Sequence, residues 1–235
     1  MVTRMLKITA AFCVIVSLLC PYPLQAAELE AALSHGNRAE KMIALTFDDG
    51  PHPTQTPEIL DILREYGIRA TFFVIGQNAE WYGDCLSMVY AEGHEIGNHS
   101  FSHANLTEAG YDGVCREIDE AERLIGERIE YRPHLLRPPG GQIGEDLYRA
   151  AGERDYTVVC WSVDTLDWAH TPPEVIAENV LTNAEGGDII LFHDYISGES
   201  PTPAALRVII PKLLERGYRF VTVSELMNGE DGTKG

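Results

Sequence analysis

A chain of 235 residues with 45% hydrophobic composition carries enough apolar material for one sizeable core, so one domain of catalytic size is expected. Its formal charge of -18 excludes nucleic acid as the expected partner, which would call for clustered Lys and Arg, and reads most simply as solubility. The five cysteines show no C-x-x-C spacing, which excludes a zinc finger and a disulfide scaffold.

The chain opens "MVTRMLKITAAFCVIVSLLCPYPLQAAE": Arg4 and Lys7, an apolar run from Ile8 to Cys20, a break at Pro21 and small residues near Ala26. This is the pattern of a secretory signal peptide over residues 1–26, followed by an N-terminal segment over 27–39. The apolar run is shorter than the roughly 20 residues of a membrane-spanning helix, so no stable membrane insertion is expected after cleavage. Bulky Leu19 argues against lipidation at Cys20. Location in the cell envelope or outside it follows, and no protein partner is indicated.

From residue 40 to 228 short apolar runs recur: "MIALTF" (42–47), "ATFFVI" (70–75), "HEIGN" (94–98), "HLLRP" (134–138), "YTVVCWS" (156–162), "DIILFH" (188–193) and "RFVTV" (219–223). Each reads as a buried strand. After the first run, Thr56 is the expected helix cap and Pro57 the first helical residue. Ile59, Leu60, Leu63 and Tyr66 make one apolar face, and Gly67 stops the helix. After the third, Tyr111, Val114, Ile118, Leu124 and Ile125 make another. Such alternation predicts an α/β fold with parallel strands and crossover helices. Seven strands favour a distorted, incomplete (β/α) barrel over a complete one. Cys85 and Cys115 fall in the segments after the second and third strands and are candidates for a disulfide. The residues from 229 to 235 read as a flexible tail.

Polar clusters follow five of these runs: "DDG", "NHSFSH", "RPPGG", "DTLDW" and "HD". In a parallel barrel the carboxyl ends of the strands share one rim, so the clusters should converge there. Taken alone, "DDG" is equally a turn signal. His99 and His103, spaced i and i+4, are expected on one helical face aimed at a single ion. Two imidazoles and a carboxylate leave positions open for water and substrate, as a catalytic metal site requires. A nearby cation would also offset the repulsion between Asp48 and Asp49, with Gly50 turning the chain so that both face the rim.

In this order, "TFDDGP", "HSFSH", "RPPGG", "DTLDW" and "ILFHD" resemble the five motifs of the polysaccharide deacetylase family, the NodB-like carbohydrate esterases of family 4. The resemblance spans roughly residues 40–225 and implies a distorted (β/α) barrel and metal-dependent removal of acetyl groups from N-acetylglucosamine-type glycans. It implies one divalent ion, usually zinc with cobalt or another ion able to serve, held by Asp49, His99 and His103. Asp48 would be the general base and Arg137 its tether. His193 would be the general acid, oriented by Asp167, with the backbone of Gly140 as oxyanion donor. Many relatives carry an aromatic residue at the position of Gly140. Trp168 and Leu191 would form the slot for the acetyl methyl. His35, His52, His94, His134 and His170 match no ligand position and are read as structural.

The same ligand types occur in 2-His-1-carboxylate iron oxygenases, but Asp48 and His193 supply a hydrolytic base and acid that an oxygenase does not need. A glycan-binding module with a decayed site is disfavoured because every proposed catalytic position holds a competent residue. Peptidoglycan, chitin oligomers and poly-N-acetylglucosamine all remain open as substrates. An O-acetyl esterase acting on xylan remains open as well.

Overall fold

The first strand, β1 (Met42–Asp48), is buried along its whole length, as a parallel strand covered on both faces must be. Its side chains alternate between two environments. Ile43, Leu45 and Phe47 join a large apolar cluster with residues of the surrounding helices, whereas Met42 and Ala44 join a second cluster. That second cluster draws Phe73, Leu135, Val159, Ile189 and Val221 together from strands spread across the sheet. A flat sheet could not bring these side chains into contact, so the sheet curls around them. Thr46 and Asp48 continue the inward face of β1 toward its carboxyl end.

The computed structural model describes residues 32–229; the expected signal peptide and the tail beyond Gly229 lie outside the described residues. The other strands are β2 (Thr71–Val74), β3 (Glu95–Asn98), β4 (Leu135–Leu136), β5 (Thr157–Val158), β6 (Val163–Asp164), β7 (Asp188–His193) and β8 (Arg219–Phe220). Along the sheet they run β5-β4-β3-β2-β1-β7-β6, with β8 pairing the first residues of β1, and every ladder is parallel. This is the expected α/β fold with a curled, incomplete barrel.

The stretch 156–162, expected as one strand, is where the barrel is distorted. β5 pairs with β4 at one end of the sheet, and β6 pairs with β7 at the other. Between them the chain crosses the seam, with the Ser162 N–H donating to the Ile189 carbonyl. The N-terminal segment fills what the seam leaves open. Leu33 N–H donates to the Val158 carbonyl, the Leu33 carbonyl accepts from Cys160 N–H, and His35 bridges to Asp188.

Helix α1 (Gln55–Tyr66) buries Ile59, Leu60, Ile62 and Leu63 and ends at Gly67 with φ 63°, the left-handed stop that glycine accommodates. Thr56 is not its cap. The helix begins at Gln55, two residues before the expected start, and the Thr56 hydroxyl is drawn instead to buried Asp194. Helix α2 (Gly76–Trp81) follows β2 and is succeeded by α3 (Gly83–Ala91); α4 (Gly110–Ile129) follows β3 and buries Val114, Ile118, Ala121, Leu124 and Ile125. α5 (Glu145–Gly152), α6 (Pro173–Asn183), α7 (Thr202–Glu215) and α8 (Val223–Asn228) complete the fold.

The candidate Cys85–Cys115 disulfide is not formed; Cys85, Cys115 and Cys160 are free thiols. Arg128, near the end of α4, bonds Ser87 and Asp84 of α3, so α3 lies against the far end of that helix. Cys115 stands about 20 Å back along the axis, at about 1.5 Å per residue. Among the described residues no helix is long and apolar enough to cross a membrane.

Candidate active site

Because all ladders are parallel, the segments that follow β1, β3, β4, β6 and β7 emerge on one rim, and the five polar clusters meet there. The barrel interior below is unusually polar at one point. Arg137, just after β4, is wholly buried, with its guanidinium 4.0 Å above the Phe73 ring centroid. Its Nη1 donates to Asp48 Oδ1 at 2.7 Å and to Thr46 Oγ1 at 2.8 Å, and its Nη2 donates to the Cys160 carbonyl at 2.9 Å. A buried cation is tolerated only when paired and hydrogen-bonded, and Asp48, 3% exposed, is its ionic partner. Gly97 makes room for this layer, since a Cβ there would stand 2.4 Å from the Phe73 ring.

Asp49 turns away from its neighbour. Its φ of 76° places it in the left-handed region, which sends the Asp49 carboxylate toward the loop after β3 while Asp48 stays with Arg137. His99 Nε2 and His103 Nε2 each lie 3.3 Å from Asp49 Oδ1, and one donor atom from each of the three residues falls within 4.8 Å of the others. The two histidines do not share a helical face, as their spacing suggested; residues 99–105 form an irregular loop. Side-chain turn chemistry builds it. Asn98 Oδ1 accepts from Ser100 N–H, Ser100 Oγ accepts from His103 N–H, and Glu117 accepts from Phe101 and Ser102.

These three side chains fit a cation. His99 Nδ1 lies 2.7 Å from the Arg137 carbonyl, which can only accept, so Nδ1 carries a proton and Nε2 is the nitrogen whose lone pair a bound cation would take. Asp49 Oδ1 is buried without a hydrogen-bond partner. Lone pairs from His99, His103 and Asp49 thus converge on one point, an arrangement that repels itself unless a positive charge lies among them. Burial alone would raise the Asp49 pKa, but the close approach and charge of His99, with the charges of His193 and His103, outweigh it and lower it. Burial likewise acts to lower His99, yet Asp48, Asp49 and the Arg137 carbonyl hold it above the usual histidine value. In His103 burial prevails and the pKa falls.

Across the rim, Asp167 is fully buried and accepts four hydrogen bonds. His193 Nδ1 and Trp168 N–H donate to Oδ1, and His193 N–H and Thr202 Oγ1 donate to Oδ2, all within 2.6–2.9 Å. Burial lowers the His193 pKa, but the hydrogen bond and charge of Asp167, joined by Asp48 and Asp49, push it up to about 9. Leu191 sits inward on β7 at 3% exposure, while Trp168 directly follows Asp167 and is half-exposed. Gly140 lies at the exposed end of the "RPPGG" turn with φ 62°.

Gly50 serves a different purpose from the sharp turn expected of it. The left-handed residue is Asp49; at Gly50 a Cβ would fall 2.0 Å from Asp194 Oδ2, so the glycine is there to let that carboxylate in. Asp194, absent from the expected site, is buried and hydrogen-bonded to Gly50 N–H and Thr56 Oγ1. Burial, with the charges of Asp49 and Asp48, pushes its pKa up to about 7.

Residues 35–159 match the Polysaccharide deacetylase family. The chain is 44% identical over 190 residues to a peptidoglycan-N-acetylglucosamine deacetylase of Bacillus cereus, covering 80% of this chain and 89% of that protein. The chain belongs to the polysaccharide deacetylase family. Among solved structures, a peptidoglycan N-acetylglucosamine deacetylase in complex with 4-naphthalen-1-yl-N-oxidanyl-benzamide superimposes with a TM-score of 0.82 at 38% identity, covering 86% of this chain and 94% of that one. A family 4 acetyl xylan esterase from Clostridium thermocellum, in complex with a cobalt ion, gives 0.75 at 36% identity, covering 79% and 89%. The match to the family model ends before Asp167 and His193; the fold brings His193 into the field of Asp48 and Asp49 and Asp167 into hydrogen-bond contact with His193.

Proposed function

We propose that the chain is a metal-dependent hydrolase of the cell envelope that removes the N-acetyl group from N-acetylglucosamine residues of peptidoglycan, with zinc as its resident ion. One observation carries the reading: buried, unpartnered Asp49 Oδ1 faces two imidazole nitrogens at 3.3 Å beside a second carboxylate that Arg137 holds separately. The donor set of two nitrogens and one oxygen suits zinc or cobalt and leaves positions open. Asp49, His99 and His103 would hold the ion, which when bound polarises a carbonyl oxygen and lowers the pKa of water from about 15.7 toward about 7.

The protein's own residues divide the proton traffic. Asp48 is the base that takes a proton from the attacking water, and its tether to Arg137 keeps the carboxylate fixed beside the metal ligands. Negative charge then develops on the acetyl oxygen, where the Gly140 backbone N–H is the proposed donor. His193, kept as imidazolium by Asp167, gives its proton to the departing amine. Trp168 and Leu191 would provide the apolar slot for the acetyl methyl.

Metal-loaded protein incubated with peptidoglycan, N-acetylglucosamine oligomers and acetylated xylan separates the open substrates. Acetate and free amine released in equal amounts from peptidoglycan supports the proposal. Acetate without amine, from xylan alone, would replace it with the O-acetyl esterase reading.

The acid side has its own test. All four partners of Asp167 are donors, so an amide there must turn its NH2 toward one of them. Asp167→Asn removes both the charge and the full set of acceptors that raise the His193 pKa. The rate profile should be bell-shaped in the wild type, and the alkaline limb should move to lower pH in Asp167→Asn with metal content unchanged. An alkaline limb that stays in place would mean that another group tunes the acid.

A further inference from the structure

Asp194 follows His193 at the end of β7, is 1% exposed and has no part in the assignments above. Its hydrogen bonds run to the segment that carries Asp49. Its backbone N–H donates to the Asp48 carbonyl at 3.1 Å, and its Oδ1 accepts from Gly50 N–H at 2.9 Å. Oδ2 accepts from the Thr56 hydroxyl at 2.6 Å, and that oxygen accepts in turn from His52 N–H at 2.8 Å. Asp194 therefore grips the chain on both sides of Asp49, while Asn78 Nδ2 donates to the Asp49 carbonyl at 2.6 Å.

Asp49 needs this hold. A residue with a Cβ keeps a φ of 76° only where its surroundings over-determine it. If the peptide on either side relaxed, the Asp49 carboxylate would swing away from His99 and His103. The contact is also fitted from the other partner, because only glycine at position 50 leaves room for the Asp194 carboxylate.

We propose that Asp194 is a positioning residue for the metal centre: its carboxylate fixes the Gly50 peptide that directly follows Asp49, where the backbone of β7 already holds the Asp48 carbonyl, and so aims the Asp49 carboxylate at the two histidines. This rests on the metal-site reading above. An outer partner of this kind removes freedom that a bound ion would otherwise have to freeze, and losing one lowers metal affinity by roughly 10- to 100-fold.

The test is a titration of metal-free protein with Co2+, read by binding heat and by the visible absorption of the bound ion, with thermal unfolding followed in parallel. Asp194→Ala should bind about 10- to 100-fold more weakly, with an altered absorption spectrum. Asp194→Asn should recover most of the affinity, because its Oδ1 can still accept from Gly50 and its Nδ2 can donate to the Thr56 oxygen. Gly50→Ala should match Asp194→Ala, and the double variant should be no weaker than Asp194→Ala alone, since the added methyl then has space. Wild-type affinity in Asp194→Ala, equal losses in the Ala and Asn variants, or losses that add in the double variant would each overturn the proposal. If Asp194→Ala does not fold, wild-type affinity in Gly50→Ala overturns it alone. Absence of Co2+ binding by the wild type would instead sink the metal-site reading itself.

Discussion

Asp49→Ala is expected to remove most of the bound divalent ion and reduce deacetylation to background. The carboxylate is the single anionic member of the proposed ligand set, and both imidazole nitrogens face the same oxygen. Its loss should therefore cost more than the roughly 10- to 100-fold in affinity that follows loss of an outer partner. His99 and His103 would remain near each other, ring centroids 5.2 Å apart, as two neutral donors without charge compensation. Elemental analysis of the purified variant is the direct measurement, with released acetate as the second. Full metal occupancy in Asp49→Ala would remove this residue from the ligand set whatever happened to the rate. Fold should survive, because Asp49 is partly exposed at the rim and its carbonyl, not its side chain, is what Asn78 holds.

The fold was legible where burial alone sets the pattern. β1 and β7 are covered on both faces, so they read as unbroken apolar runs and were placed to within a residue. The run at 156–162 misleads for the same reason. Nothing in its composition marks the break between β5 and β6, because the bend comes from the sheet closing on itself rather than from a glycine or proline. Five polar clusters at strand ends are enough to predict that these residues gather, since parallel strands deliver their ends to one rim.

Local geometry within the site was less accessible. An i, i+4 spacing is the same in a helix and in a loop, and only the Asn98 and Ser100 side chains, both turn formers, hinted at the loop that brings His99 and His103 together. At Gly50 the residue type signalled a special backbone position, but the reason lay 144 residues away in Asp194. No periodicity or motif spacing encodes that contact. It arises because β1 and β7 are neighbours in register, with Asp48 opposite His193, so the residues that follow each strand meet.

Asp48→Asn should separate base from ligand. The substitution keeps the shape of the side chain and an oxygen able to accept from Arg137, so the guanidinium is not left alone in the barrel. Asp48→Ala would leave it so, and removing one partner of a buried ion pair commonly costs about 3–5 kcal/mol. Arg137 also keeps Thr46 and the Cys160 carbonyl in either case. In Asp48→Asn the three metal-facing side chains are untouched, so metal content should remain near that of the wild type. An amide cannot take a proton from water at neutral pH, and loss of a general base lowers turnover by about 10²- to 10⁴-fold. The loss should fall on kcat, with KM little changed, because Asp48 is buried under the rim and its work is confined to the proton transfer. Thermal unfolding and metal analysis on the same preparation distinguish this from a damaged site. Turnover near wild type would mean that the base lies elsewhere, and it would leave Asp48 as the counter-ion of Arg137 and nothing more.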